Sequence, residues 1–110
     1  MAWSPEFRDY VLEALSGLGA VEARAMFGGL GIFCDGVMIA LVADDVLFLK
    51  ADDQSRGRFE EAGLAQFEFT AKGKTTRMSY WEAPLDIFED PDAAEDWGRA
   101  ALDAALRSKR

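Results

Sequence analysis

The sequence predicts a two-layer α+β domain with an antiparallel five-stranded sheet, in the order helix, three strands, helix, two strands, helix. Three observations predict it. Apolar residues recur at helical spacing near both ends, two stretches fold back around tight turns, and the alternating strand-helix-strand pattern of a parallel sheet does not occur.

Ser4-Pro5 supplies an N-cap and a first helical residue with fixed φ, and Phe7, Tyr10, Val11, Ala14, Leu15 and Leu18 then follow at helical spacing. Gly17 and Gly19 stop that helix, and residues 21–27 read as a connection or a short strand. Residues 30–34, Asp35-Gly36 and residues 37–42 form a hairpin signal. Counting from the turn sets Cys34 opposite Val37, Ile32 opposite Ile39 and Leu30 opposite Leu41 on one face, with Phe33 and Met38 paired on the other. Asp44-Asp45 turns the chain into residues 46–50, completing a three-stranded meander whose central strand is apolar on both faces.

Asp52 is the expected cap of a second helix that contains Phe59 and Ala62 and stops at Gly63. Residues 67–72 alternate at period two, Gly73 makes a turn, and residues 75–82 return with Thr76, Met78 and Tyr80 on one side and Arg77, Ser79 and Trp81 on the other. Asp90-Pro91 opens a last helix with a narrow stripe of Ala94, Trp97, Ala101 and Ala105, flanked by Leu102 and Leu106.

With 110 residues, 50% of them hydrophobic and 29% charged, the chain is expected to form a single domain over residues 1–110. Helices on one sheet face would leave apolar side chains of the central strand uncovered, so homodimerisation through the sheet is expected; the alternative is that the helices wrap both faces. The longest apolar run, residues 37–43, is far short of the ~20 residues that cross a bilayer, so no membrane role is expected. Met1-Ala2-Trp3-Ser4-Pro5-Glu6 lacks the features of a secretion signal and Cys34 is the single cysteine, which points to a cytoplasmic location.

Function classes narrow in the same way. The chain has no histidine, the commonest general base and metal ligand. Cys34 stands beside Asp35, whose charge raises a thiol pKa, and reads as an ordinary half-buried strand residue. The acidic run from Glu82 to Asp96 lacks the spacing and glycine of a calcium loop and suits a helix start. Gly28-Gly29-Leu30-Gly31 leads into a strand, not into the helix of a phosphate loop, so it reads as a bulge or a close backbone approach. No catalytic, cofactor-binding or metal residue is therefore assigned. A net charge of −8 opposes nucleic-acid binding by the whole molecule, although Lys72, Lys74 and Arg77 beside Tyr80 and Trp81 form a local basic candidate, as do Arg107, Lys109 and Arg110 at the C-terminus.

Several segments taken together resemble a family. Arg24-Ala25-Met26-Phe27-Gly28-Gly29-Leu30-Gly31, the Asp35-Gly36 hairpin, Leu47-Phe48-Leu49-Lys50, Phe67-Glu68-Phe69, Met78-Ser79-Tyr80-Trp81 with Pro84, and the Asp90-Pro91 helix with Trp97 are similar to the N-terminal domain of the TfoX/Sxy family. The resemblance implies a secretion-chaperone-like α+β fold. It also implies a link to regulation of natural competence, in which longer members with a second, helical domain act as coactivators beside a DNA-bound transcription factor. It carries over no catalytic residue.

The resulting expectation is a non-enzymatic protein that binds a protein partner, a transcription factor in the family's setting, through the sheet face and residues 26–31. Arg24, Met26, Phe27, Gly28 and Gly29 are the candidate partner-binding residues. The alternative is a direct DNA-binding module using Lys72, Lys74 and Arg77. Third comes a small-ligand or enzymatic domain using carboxylates or Arg24 near the glycines.

Overall fold

The computed structural model describes residues 3–26 and 28–109. In chain order these form α1 (Pro5–Ala14), a 3-10 turn (Ser16–Leu18), β1 (Val21–Met26), β2 (Gly29–Cys34), β3 (Val37–Ala43), β4 (Val46–Lys50), α2 (Arg56–Glu61), β5 (Gln66–Ala71), β6 (Lys74–Glu82), α3 (Asp86–Glu89) and α4 (Pro91–Ser108). The strands make one antiparallel sheet in the order β1-β2-β3-β4-β6-β5.

The α+β class and the antiparallel sheet agree with the sequence reading, but the sheet has six strands and not five. The extra strand is β1. Of its residues only Val21 and Ala23 pack on the core and Ala25 is exposed, too little to mark an apolar face, and what makes the segment a strand is its pairing with β2 from Val21↔Cys34 to Met26↔Gly29. The helix order also differs, because the short α3 precedes α4 and a 3-10 turn follows α1.

Local chemistry accounts for the element ends. Ser4 Oγ accepts from the Phe7 N–H at 3.1 Å, and the Asp90 side chain accepts from the Asp92 N–H at 3.0 Å, each ahead of a proline in the first turn. Asp35-Gly36, Asp44-Asp45 and Lys72-Gly73 all have positive φ at both positions, the two-residue turn whose twist suits antiparallel strands. The second helix begins later than expected. Its N-cap position is Ser55, while Asp52 lies in the preceding turn and accepts from the Gln54 and Ser55 N–H groups at 3.1 Å.

One register differs from the expected hairpin, and it decides which side chains face where. Cys34↔Val37 and Phe33↔Met38 pair as predicted, but Ile32 pairs with Ala40 and Leu30 with Val42. A bulge at Ile39 inserts the extra residue. Ile39 and Ala40 therefore both sink into the core under the helices, and Leu41 turns to the opposite face.

That main core combines Val11, Leu15 and Leu18 with Ile32, Ile39, Val42, Leu49, Phe59, Ile87 and Leu102. Small buried residues on α4, Ala94, Ala101 and Ala105, let it lie close to the sheet, Gly98 makes room for Leu15 and Leu18, and Leu106, expected to flank this stripe, is 44% exposed. Phe59 fixes α2 by packing 5.0 Å from the Trp97 ring and 6.1 Å from the Trp81 ring. Arg58 stacks 4.2 Å over Trp97 and bonds Asp96 at 2.7 Å, and Arg107 holds Asp52 through two bonds of 2.6 and 3.0 Å. Cys34 is fully buried and not half-buried, so burial first and Asp35 second push its thiol pKa up.

A second, smaller cluster on the other face contains only sheet residues: Leu41, Ala43 and Tyr80, with Met38, Phe48 and Phe67 against them. Among the described residues the helices thus cover one face of the sheet. No described helix is long and apolar enough to cross a membrane.

Two outcomes follow. Phe59→Ala should lower unfolding free energy in urea titrations by ~3–5 kcal/mol, the range for a buried aromatic truncation. The Arg107 guanidinium, chiefly through its hydrogen bonds, draws the Asp52 pKa from 3.8 to about 2, so the stabilisation is present above pH 3.8 and is lost as pH falls towards 2. Arg107→Ala should therefore melt below wild type at neutral pH, and the gap should close as melting is repeated down to pH 2.

Candidate interaction surface on the helix-free face of the sheet

Strand alternation, reset by the Ile39 bulge, selects what this face displays. In β1 the residues Val21 and Ala23 pack on the helix-side core, which leaves Glu22, Arg24 and Met26 to the free face. The remaining strands add Gly29, Gly31 and Phe33, then Met38 and Leu41, Phe48 and Lys50, Met78 and Tyr80, and Phe67 and Phe69.

Among them Met26, Gly29, Met38, Leu41, Phe67, Phe69, Met78 and Tyr80 line a hollow of about 340 Å³. Met26 on β1 and Phe69 on β5 both line it, although those strands are the two edges of the sheet. The sheet is therefore coiled, with its free face concave. Three of the chain's four methionines, Met26, Met38 and Met78, stand in the lining with Leu41, Phe67 and Tyr80. A flexible thioether adapts to irregular apolar shapes, so such a wall suits a surface that must mould to what it meets.

Glycines keep the hollow open at one end. A Cβ on Gly29 would collide with the backbone carbonyl oxygen of Val42, so only glycine lets β2 and β3 approach there. A Cβ on Gly31 would meet the Met26 sulfur at 2.5 Å, Phe33 at 3.0 Å and the Met38 sulfur at 3.4 Å. Those neighbours are side-chain ends that can move.

Cations border the apolar lining. Arg24 sits 4.6 Å over the Phe33 ring and bonds Glu22 at 2.5 Å, and the Lys50 ammonium lies 5.2 Å from the Tyr80 ring. Burial pushes the Tyr80 hydroxyl pKa up.

The predicted residues divide accordingly. Met26 and Gly29 line the hollow and Arg24 stands on the same face. Gly28 is an exposed turn residue at φ 77°, and Phe27 lies outside the described residues. Lys72 and Lys74 occupy the tip of the β5–β6 hairpin, which is exposed from residue 68 to 79. Arg77 faces away from Thr76 and Met78 and bonds Glu68 at 3.2 Å, so the three basic candidates do not converge. Arg107 in the basic tail is held by Asp52. Sequence reasoning missed Met38, Leu41, Phe67, Phe69 and Met78 as a group. The signal available was the period-two alternation of the second hairpin, which already put Met78 with Tyr80.

A family model for the TfoX N-terminal domain matches residues 13–105. This chain belongs to the TfoX N-terminal domain family. It is 32% identical over 77 residues to the DNA transformation protein TfoX1 of Aliivibrio fischeri, which covers 70% of this chain and 36% of that protein. It is 26% identical over 97 residues to protein Sxy of Escherichia coli K12, covering 88% of this chain and 46% of that protein. The chain spans less than half the length of either relative. The matched segment takes in all six strands and every residue that lines the hollow.

Gly29→Ala should cost ~1–3 kcal/mol in thermal melts because backbone must part from backbone, while Gly31→Ala should cost less because Met26 and Met38 can shift.

Proposed function

We propose that this chain is a non-enzymatic binding module of the TfoX/Sxy type, acting in the regulation of DNA transformation by engaging a protein partner through the concave sheet face. One observation carries the reading: an apolar, methionine-walled hollow formed entirely by sheet residues on the face that the helices leave uncovered. Folded chains rarely keep a contiguous apolar surface of this kind without using it. The name of the Aliivibrio fischeri relative, a DNA transformation protein, supplies the biological setting. A transcription factor is the class of partner proposed.

Shape supports a binding role. The lining is apolar apart from the Tyr80 hydroxyl, and a reaction site would require several convergent polar groups. The two cations on this face that touch aromatic rings, Arg24 and Lys50, belong to its border.

Met78 is 38% exposed, so Met78→Glu places a charge in the lining without opening the main core. In the source organism, deleting the gene should change transformation frequency, and wild type should restore it. The Met78→Glu protein should fold, as read by circular dichroism, yet fail to restore, and should capture the wild-type partner at least ~10-fold more weakly. Full restoration by that variant would remove the sheet face from the function.

A further inference from the structure

We infer that the occupant of the concave face is an amphipathic helix whose polar flanks are acidic. The inference rests on the proposed use of that face and adds the chemistry of what binds there.

Backbone accounting selects a helix. The floor of the hollow is the face of a sheet whose backbone N–H and C=O groups point along the sheet plane and pair from strand to strand. An extended segment laid across that floor would bury its own backbone groups against side chains with nothing to bond, at a cost of ~1–3 kcal/mol for each orphaned group. A helix satisfies its backbone internally and presents only side chains, as in helix-in-groove recognition. The methionine walls fit the ridged surface that a helix offers.

Charge selects the flanks. The chain carries 20 acidic and 12 basic side chains, and most of the acids lie on α1, α2, α3, α4 and the turns beside them. The free face is different. Among the described residues no carboxylate pairs with Lys50, Lys72 or Lys74, nor with Arg99 and Lys109 on α4 and its C-cap, whereas Arg8, Arg24, Arg56, Arg58, Arg77 and Arg107 all have ionic partners. Lys50 stands on the face over Tyr80, Lys74 shares the Met78 side of β6, and Lys72 is in the turn beside it. Glu22 is taken up by Arg24, which leaves Glu82, opposite Phe48, as the acid that the register adds to this face. An apolar floor with unpaired lysines along one side attracts an apolar segment flanked by Asp and Glu.

Two synthetic peptides test this: a 15-residue amphipathic helix with Leu and Phe at i, i+3, i+4 and i+7 and Glu elsewhere, and its counterpart with Lys for every Glu. The Glu peptide should bind the intact chain in fluorescence polarisation, more weakly as salt rises. Its affinity should fall ~10-fold for Lys50→Glu combined with Lys74→Glu, and should vanish for Met78→Glu. Equal or tighter binding of the Lys peptide overturns the inference. So does equal binding of a scrambled Glu peptide without the helical spacing, or absence of Glu-peptide binding at ~1 mM, or a solution dimer that Met78→Glu dissociates. If the Glu peptide fails while Met78→Glu still abolishes function in cells, the occupant is of another kind and the sheet-face reading stands. If Met78→Glu disturbs neither, both readings fall.

Discussion

The bulge at Ile39 governs how this molecule divides its apolar residues. β3 is apolar along its whole length, and an unbroken alternation would have placed Leu41 with Ile39 under the helices. The inserted residue instead gives the helix side two consecutive side chains, Ile39 and Ala40, and returns Leu41 to the other side. With Leu41 come its cross-strand neighbour Phe48 and the Tyr80 region of β6, and these seed the second cluster. The main core and the hollow are thus two products of one backbone irregularity.

Charge is divided along the same plane. Helix starts gather acids such as Glu6 and Asp92, where they complement the dipole, so the helical layer is strongly negative. Arg58 and Arg107 help to hold that layer together, through Asp96 and Asp52 respectively. The lysines nearest the hollow have no such duty. A protein with a net charge of −8 therefore offers one face whose local character is opposite to its sum.

What was legible in the sequence was local. Ser4-Pro5, Asp35-Gly36 and Asp90-Pro91 each carry their own conformational instruction within a few residues, and each stands where it was expected. The segment 24–31 that carries the family resemblance supplies Met26 and Gly29 to the hollow. The illegible parts depend on partners far along the chain. β1 is a strand because β2 pairs with it, not because its alanines declare a face. The bulge answers to packing under α4, and the hollow needs β1 and β5 to curl towards one another, which no short window can report. Asp52 caps the turn just ahead of α2 and not the helix itself, and its engagement with Arg107 is a tertiary contact that the local sequence does not announce.

The connection between β4 and β6 has a mechanical meaning. β2 to β4 are joined by two-residue turns and β1 pairs beside β2, so these four strands make contacts that are local in sequence. The β5–β6 hairpin joins that run through Phe48↔Glu82, Leu49↔Trp81 and Lys50↔Tyr80, with the Ala83 N–H donating to the Leu47 carbonyl and the Ala51 N–H donating to the Ser79 carbonyl at the two ends, each at 2.9 Å, and its outer half projects past them. Trp81 anchors the near half of the hairpin against Phe59 in the main core, whereas the outer half, exposed from residue 68 to 79, has few buried apolar contacts to hold it. Phe69 and Met78 stand on that exposed outer half, so one wall of the hollow is built from a weakly buttressed part of the sheet.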